Sequence, residues 1–348
     1  MNRARIHGIV ALGAVFGLTV FAAACGSSAG NGGSTKTSAP AAAPTSLNVE
    51  LDWVPNPDHV GLYYAQNKGY FTKQNLTVHF QVPSNTADPI KLVGLNKVDL
   101  AISYEPEMFY GQQEGLPVVA VAAVIPVPLN GLIVSPKIHI SNVCQIKGHS
   151  VGWTGIPSDG AMYTTMLQTC HLTPQQVPKV SVGFNLVPSV LAGKVDAIVG
   201  GYRNVEDIQI SQEANKKAAD FPADKLGVPN YDELVLVANK NRLASDKAYA
   251  SAVKRFVAAF VAGTDAAIKD PGGTTSIMDT SSQYKPSFLQ VSVPYTLQLI
   301  AQNNGMKTAC MSLSAWQSFG NWMSSHKLIK DTPSASAVMT DKYMPYTC

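Results

Sequence analysis

Short apolar runs alternate with amphipathic segments over most of the chain. Runs typical of buried strands occur at Leu47–Trp53, Leu76–Val82, Val98–Ser103 and Val118–Val124, with helical patterns at Val60–Lys68 and Pro89–Leu95. This alternation predicts an α/β fold in which helices cover a mostly parallel sheet. Near-helical spacing of apolar residues also predicts a long core helix from Asp246 to about Ile268, with Ser245 as its N-terminal cap.

Part of this pattern occurs twice. Three positions recur with identical spacing, as Trp53, Pro57 and Tyr63 and again as Trp153, Pro157 and Tyr163. The repeat predicts two similar α/β lobes, each a mostly parallel sheet flanked by helices. We expect lobe 1 to comprise 47–135 and 238–348 and lobe 2 to comprise 136–237, with the strand Leu234–Ala238 returning to the first lobe.

Aromatic residues follow corresponding strands in both predicted lobes, namely Trp53, Tyr104, Trp153 and Tyr202. Ligands of open α/β sheets bind at the carboxyl ends of the strands. If the two lobes face each other, these four rings therefore converge on one cleft, where ligand pockets commonly form. The alternative is that the rings cap the hydrophobic core at the strand ends.

The first residues have the order of an export signal. Arg3 and Arg5 precede an uncharged run, Gly8–Ala24, which ends in small residues directly before Cys25. This order predicts a lipoprotein signal peptide at 1–24, lipidation of Cys25, and a Gly/Ser/Ala-rich flexible tether at 25–46. The usual leucine three residues before the cysteine is here an alanine, so an ordinary signal peptide cut nearby and an uncleaved anchor remain alternatives.

Charge and cysteine usage narrow the function classes. The net charge of +3 becomes +1 once Arg3 and Arg5 are removed, and no basic cluster indicates a nucleic-acid partner. The cysteines beyond position 25 lack metal-site or redox-motif spacing. Their neighbourhoods favour two disulfides, Cys144–Cys170 and Cys310–Cys348; four buried free thiols are the alternative. We expect a monomer with no cofactor.

Several motifs together resemble the substrate-binding proteins related to the fungal thiamine-pyrimidine synthase. They are Leu51–His59, Gly61–Tyr63, Lys68–Phe71, Ile102–Glu107, Gly155–Asp159, Gly193–Ala197, Gly200–Glu206 and Tyr231–Leu236. The resemblance implies a type II periplasmic-binding-protein fold with two crossover strands, and an ABC importer permease as partner. It also implies a thiamine pyrimidine precursor as ligand, hydroxymethylpyrimidine or formylaminopyrimidine, although some close relatives take riboflavin.

A flat heterocycle needs aromatic faces and a few placed polar groups. The candidate ligand residues are Trp53, Asn56, His59, Tyr104, Glu107, Trp153, Ser158, Asp159, Tyr202, Asn204 and Glu206. A Glu206 carboxylate could accept two parallel hydrogen bonds from a protonated aminopyrimidine, or it could be a helix cap or surface charge. The excess of acids over cations favours a neutral or cationic ligand and weakens the alternative of a sulfonate such as taurine.

The sequence favours a binding protein over an enzyme. The fungal synthase of this superfamily sacrifices a histidine and uses a cysteine-rich iron motif, whereas this chain has no clustered cysteines. No metalloprotease motif, phosphate loop or nucleophile triad occurs in a credible context. We therefore expect no catalytic residues and no metal, with a synthase-like enzyme or a hydrolase as the least favoured alternatives. The protein is expected on the extracytoplasmic face of the cell membrane, held by its lipid.

Overall fold

The computed structural model describes residues 44–331 and 334–348, which contain two five-stranded sheets flanked by helices. The strands are β1 (Thr45–Glu50), β2 (Leu76–Gln81), β3 (Leu100–Ser103), β4 (Val118–Ile125), β5 (Asn130–Val134), β6 (Val151–Trp153), β7 (Lys179–Ser181), β8 (Ala197–Tyr202), β9 (Ala219–Pro222) and β10 (Leu234–Asn239). The predicted signal peptide, Cys25 and the tether as far as residue 43 lie outside the described residues.

The two sheets have the same strand arrangement. The first has the order β2-β1-β3-β10-β4 and the second the order β7-β6-β8-β5-β9. In each, three neighbouring strands run parallel and one inserted strand, β10 or β5, runs antiparallel to both of its neighbours. The predicted fold class is therefore confirmed, and the sequence repeat corresponds to two lobes built alike, with β1 equivalent to β6.

Both crossovers between the sheets lie earlier in the chain than expected. The structure places Asn130–Val134 in the second sheet, although the predicted first lobe extended to residue 135. Pro126 and Pro128 explain the change, because residues without an N–H cannot continue the hydrogen-bonded strand β4. On the return, β10 belongs to the first sheet, as expected for the strand Leu234–Ala238, so only the lobe boundary given at 238 falls too late in the chain.

Helices fill the spaces between these strands. They are α1 (Val60–Asn67), α2 (Tyr70–Lys73), α3 (Pro89–Gly94), α4 (Glu105–Gln113), α5 (Pro157–Gln168), α6 (Leu186–Leu191), α7 (Glu206–Glu213), α8 (Lys240–Ser245), α9 (Lys247–Lys269), α10 (Pro271–Ser281), α11 (Pro286–Gln302) and α12 (Leu313–Ser325). The long predicted helix is α9, but its cap is Asp246, whose carboxylate accepts from the Tyr249 N–H at 3.0 Å. The predicted cap, Ser245, instead ends α8 and donates to the Asn241 carbonyl.

The cysteines lie in two pairs. The sulfur atoms of Cys144 and Cys170 are at disulfide-bonding distance, as are those of Cys310 and Cys348, which is the favoured pairing. Within residues 44–331 and 334–348, no group of three or more His, Cys, Asp or Glu side chains is arranged to hold a metal ion. In the same part of the chain, no helix combines the length and apolarity needed to cross a membrane.

Candidate ligand-binding site

A cavity of about 330 Å³ lies between the carboxyl ends of the two sheets. Its walls come from residues that end or follow β1, β3, β6 and β8, namely Asp52, Trp53, Asn56, Tyr104, Thr154, Ile156, Asp159, Gly200, Tyr202 and Glu206. We call this space the central cavity. Its position at the strand ends of both lobes is where open α/β folds bind ligands.

The structure brings many of the predicted ligand residues together and leaves others out. Trp53, Asn56, Tyr104, Asp159, Tyr202 and Glu206 line the central cavity, whereas His59, Glu107, Trp153, Ser158 and Asn204 do not. Trp153 was expected to offer a stacking face. Its ring instead lies 4.0 Å from the Lys179 ammonium. Trp153 is the last residue of β6, whereas Trp53 lies three residues beyond the end of β1, so the two tryptophans are not structurally equivalent.

The first-lobe wall is organised by a carboxylate that sequence reasoning missed. Asp52 is buried and accepts hydrogen bonds from His59 Nε2 at 2.8 Å and from the Tyr104 hydroxyl at 3.2 Å. His59 Nδ1 accepts from the Asn56 N–H at 3.3 Å, so the ring proton lies on Nε2 and points at Asp52. His59 thus supports the wall. Asp52 lies within the motif Leu51–His59 but was not among the candidate ligand residues.

The second-lobe wall is built around Asp159 in the first turn of α5. One carboxylate oxygen accepts from Asn130 Nδ2 at 2.9 Å, and the other accepts from the Thr154 hydroxyl. Asn130 Oδ1 in turn accepts from the Gly200 N–H at 3.1 Å. Gly200 has a φ of +82°, and a side chain there would collide with Asp159. Glycine at position 200 is therefore what allows β8 to pass this close to the carboxylate.

Glu206 closes the second-lobe wall at the N-terminus of α7. Its Oε2 accepts from the Tyr202 N–H at 2.8 Å, which fixes the carboxyl group beside the Tyr202 ring. Burial raises the pKa of Glu206, while the hydrogen bond from the Tyr202 N–H and the helix N-terminus act in the opposite direction and favour the negative form. Glu206 is thus the first residue of α7 and not its cap, since the N-cap is Val205, and its carboxyl group lines the cavity.

The central cavity is acidic. Asp52, Asp159 and Glu206 face it, and none of the described residues that line it is Lys or Arg. Burial raises the pKa of Asp159 and that of Glu206 to about 7, and the pKa of the neighbouring Asp58 to about 8. Aromatic faces and carboxyl groups without a counter-cation suit a flat ligand that donates hydrogen bonds or carries positive charge.

These raised pKa values predict that the ligand-free protein loses stability as pH increases. The carboxyl groups of Asp58, Asp159 and Glu206 bind protons in the folded state at pH values where the unfolded chain, with pKa values of 3.8 or 4.5, has released them. The free energy of unfolding should therefore fall between about pH 4 and pH 8, by at most about 1.4 kcal/mol per pH unit for each group.

Urea denaturation at a series of pH values measures this slope. The Asp58→Asn variant removes the group with the highest of these three pKa values and should have a shallower slope than the wild type. A free energy of unfolding that rises from pH 5 to pH 8 in the wild type would contradict the prediction.

Hydrogen bonds join the two lobes around the cavity. Asn204 of the second lobe donates to Asp58 Oδ1 at 2.6 Å and to the Thr296 hydroxyl at 2.8 Å. On another side, Glu107 of the first lobe accepts from the Ser158 N–H at 2.9 Å. Asn204, Glu107 and Ser158 therefore hold the lobes together rather than line the cavity, and the structure represents a closed state.

One carboxylate joins the two crossovers by hydrogen bonds. Glu233, directly before β10, accepts from the Leu129 and Asn130 N–H groups at 2.6 and 3.0 Å and from the Tyr231 hydroxyl at 2.8 Å. Both backbone donors belong to the other crossover, between β4 and β5. Glu233 is thus linked to Asn130, and Asn130 is bonded to Asp159 in the cavity wall. The crossover strands, about which the lobes would move, are in this way connected to the cavity.

Comparison with known proteins identifies relatives. A family model described as "NMT1/THI5 like" matches residues 56–274. A Haemophilus influenzae protein, provisionally described as a thiamine biosynthesis protein, is 41% identical over 208 residues, which are 60% of this chain and 66% of that protein. The formylaminopyrimidine-binding protein of Halalkalibacterium halodurans is 31% identical over 84% of this chain and 88% of its own length.

A solved structure with the same fold is the alkanesulfonate-binding protein SsuA from Xanthomonas axonopodis pv. citri bound to MOPS. It superposes with a TM-score of 0.64 at 14% sequence identity, over 86% of this chain and 99% of that one. At this identity the likeness concerns the fold alone, and it agrees with the two-lobed arrangement expected from the sequence.

Proposed function

The chain belongs to the NMT1/THI5-like family and has the fold of solute-binding proteins, and from that premise we propose that it is the extracytoplasmic binding protein of an ABC importer, with a thiamine pyrimidine precursor as its ligand. The observation that carries the proposal is the central cavity, which is small, acidic and walled by aromatic rings. Hydroxymethylpyrimidine and its formylaminomethyl relative are the two candidate ligands.

The size and walls of the cavity support a single-ring ligand. The cavity is small and is lined by ten residues, three of them aromatic. Trp53, Tyr104 and Tyr202 provide aromatic surface on which one heterocycle can stack. The three fused rings of riboflavin, the alternative ligand of related proteins, would need more room than this closed state offers.

The charges support a pyrimidine over a sulfonate. An aminopyrimidine protonated on its ring nitrogen presents two adjacent donors, and a carboxylate such as Glu206 accepts both side by side. A sulfonate would require cations or free helix N-termini. Here the Ser158 N–H in the first turn of α5 already donates to the Glu107 carboxylate of the opposite lobe, so this helix terminus is not free to bind an anion. The cavity itself is lined by acidic residues.

Closure around the ligand is the proposed working step. Both lobes contribute to the cavity wall, so a bound ring would contact groups of each and stabilise the closed state that the permease recognises. In this proposal the chain is a carrier and not an enzyme. A mutation in the cavity should lower affinity, and mass spectrometry should recover the ligand chemically unchanged after incubation.

Isothermal titration of the soluble chain, residues 26–348, tests the proposal. The protein should first be unfolded and refolded to remove ligand carried over from expression. It should then be titrated with hydroxymethylpyrimidine, its formylaminomethyl relative, riboflavin and taurine. Saturable binding of a pyrimidine alone is the expected result. Binding of riboflavin or taurine in its place would retain a transport role but contradict the proposed ligand and its contact with Glu206.

We also propose that the protein is exported, lipidated at Cys25 and held at the membrane as a monomer. The Gly/Ser/Ala-rich segment after Cys25 would give the binding unit slack to reach the permease, and the paired cysteines suit an oxidising compartment. Intact-mass analysis and a non-reducing peptide map of the membrane-extracted protein test this. A chain that retains residues 1–24, or free thiols at Cys144 and Cys310, would contradict it.

A further inference from the structure

A second, larger concavity adjoins the central cavity. It shares Trp53 and Glu206 with the wall of the central cavity. The first lobe contributes Val54, Val82 and the segment 281–288, and the second lobe contributes the segment 184–188 and α7. We call this space the outer groove. Because these two residues line both spaces, the outer groove and the central cavity are neighbouring compartments of one cleft.

Two aromatic rings from opposite lobes meet where the compartments adjoin. The ring centroids of Trp53 and Phe184 are 4.5 Å apart, with the planes tilted by 56°. Trp53 follows β1 in the first lobe but packs against the apolar cluster of the second lobe that includes Leu186 and Val187. Phe184 lies between β7 and α6, directly after Gly183, whose positive φ of +52° turns the backbone there.

We propose that Phe184 is a specificity-determining residue that acts through Trp53, the pair forming an aromatic gate between the central cavity and the outer groove. Phe184 lines the groove only, whereas Trp53 lines both compartments, so Phe184 positions the ring that the ligand contacts. The inference rests on the proposed function, since it concerns which ligands the central cavity accepts and how fast they leave.

Two consequences follow from this position. While the gate is closed, the contact between Trp53 and Phe184 separates the central cavity from the outer groove, so a second bulky ring on a bound pyrimidine has no space on that side. Opening the gate would join the central cavity to the outer groove and leave space for that ring. The gate also joins the two lobes, so its loss should speed the opening step and the release of a bound single-ring ligand.

The Phe184→Ala variant tests both consequences with hydroxymethylpyrimidine and thiamine, a pyrimidine that carries a second ring. We expect hydroxymethylpyrimidine to dissociate roughly 3- to 10-fold faster than from the wild type, the factor that corresponds to one aromatic pair. Thiamine should bind the variant and not the wild type. Phe184→Tyr should restore both wild-type properties, and Val182→Ala, which trims the same apolar cluster away from the groove, should retain them.

Dissociation can be followed by stopped-flow displacement with intrinsic tryptophan fluorescence. Unchanged dissociation in Phe184→Ala, or thiamine binding to the wild type as tight as that of hydroxymethylpyrimidine, would overturn the gate. If the wild type binds neither these compounds nor the formylaminomethyl relative of hydroxymethylpyrimidine, the proposed function fails, and acrylamide quenching tests the gate independently. Phe184→Ala should then expose Trp53 to quenching, and a Trp53→Phe background should abolish the increase. Equal quenching in all variants would also overturn the proposal.

Discussion

Replacing Glu206 with glutamine is expected to weaken the binding of hydroxymethylpyrimidine by roughly 10- to 100-fold, the cost of losing one charge-assisted hydrogen bond in a buried site. Glutamine keeps the size of the side chain and an oxygen for the Tyr202 N–H, so the wall should remain intact. It cannot accept two parallel hydrogen bonds from a protonated aminopyrimidine, because one of its two terminal atoms is a donor.

Isothermal titration measures this effect, and Asp207→Asn is the matched control. Asp207 lies in the same first turn of α7 and bonds to Ser211 at 3.2 Å, but it does not line the central cavity. The control removes the same charge from the same helix end and should bind like the wild type. Equal losses in both variants would mean that the charge of the helix terminus, and not a contact with the ligand, determines affinity.

Strands and core helices were largely predictable because they depend on local periodicity. Each strand placed from an apolar run, from Leu47–Trp53 to Leu234–Ala238, has a counterpart in the structure within a few residues. The errors concern the sheet to which a strand belongs. Two prolines end β4, and the next apolar run, β5, joins the other sheet. An apolar run can be recognised in the sequence, but the strand with which it pairs is determined by the tertiary structure.

The site was only partly predictable, since the spacing that revealed the repeat says nothing about side-chain direction. Trp53 and Trp153 share the spacing of the repeat, but Trp153 is the last residue of β6 whereas Trp53 lies three residues beyond the end of β1. The ring of Trp153 has Lys179 over it, while Trp53 lies in the cleft. Asp52, Thr154 and Gly200 were not among the candidate ligand residues, because each shapes the cavity through a hydrogen bond or a close approach to another residue of the wall. No local pattern marks an aspartate that aligns a tyrosine 52 positions later.

The cavity wall and the crossovers form one connected polar network. Glu233 holds the two crossovers together, Asn130 extends from one of them, and Asp159 is bonded to Asn130 at the cavity. A ligand that displaced Asp159 would therefore strain the strands about which the lobes move. This gives a physical route by which occupation of the cavity and closure of the lobes can be coupled, through one network with defined partners.

Replacing Gly200 with alanine should disrupt this network at its tightest point. The φ of +82° is costly for a residue with a Cβ, and an ideal Cβ would lie 2.2 Å from Asp159 Oδ2. Strain of about 1–2 kcal/mol adds to an overpacking cost of about 1–3 kcal/mol, so the free energy of unfolding should fall by about 2–5 kcal/mol. Displacement of Asp159 should also weaken pyrimidine binding by roughly 10- to 100-fold.

Gly193→Ala separates the two causes, because Gly193 has a similar φ of +72° but no atom within 4 Å of the position of its added Cβ. This variant should lose only the backbone part of the stability, about 1–2 kcal/mol, and should bind the ligand normally. Urea denaturation and titration of both variants measure the difference. If Gly200→Ala were no less stable than Gly193→Ala and bound equally well, the contact between β8 and Asp159 would not be what shapes the cavity.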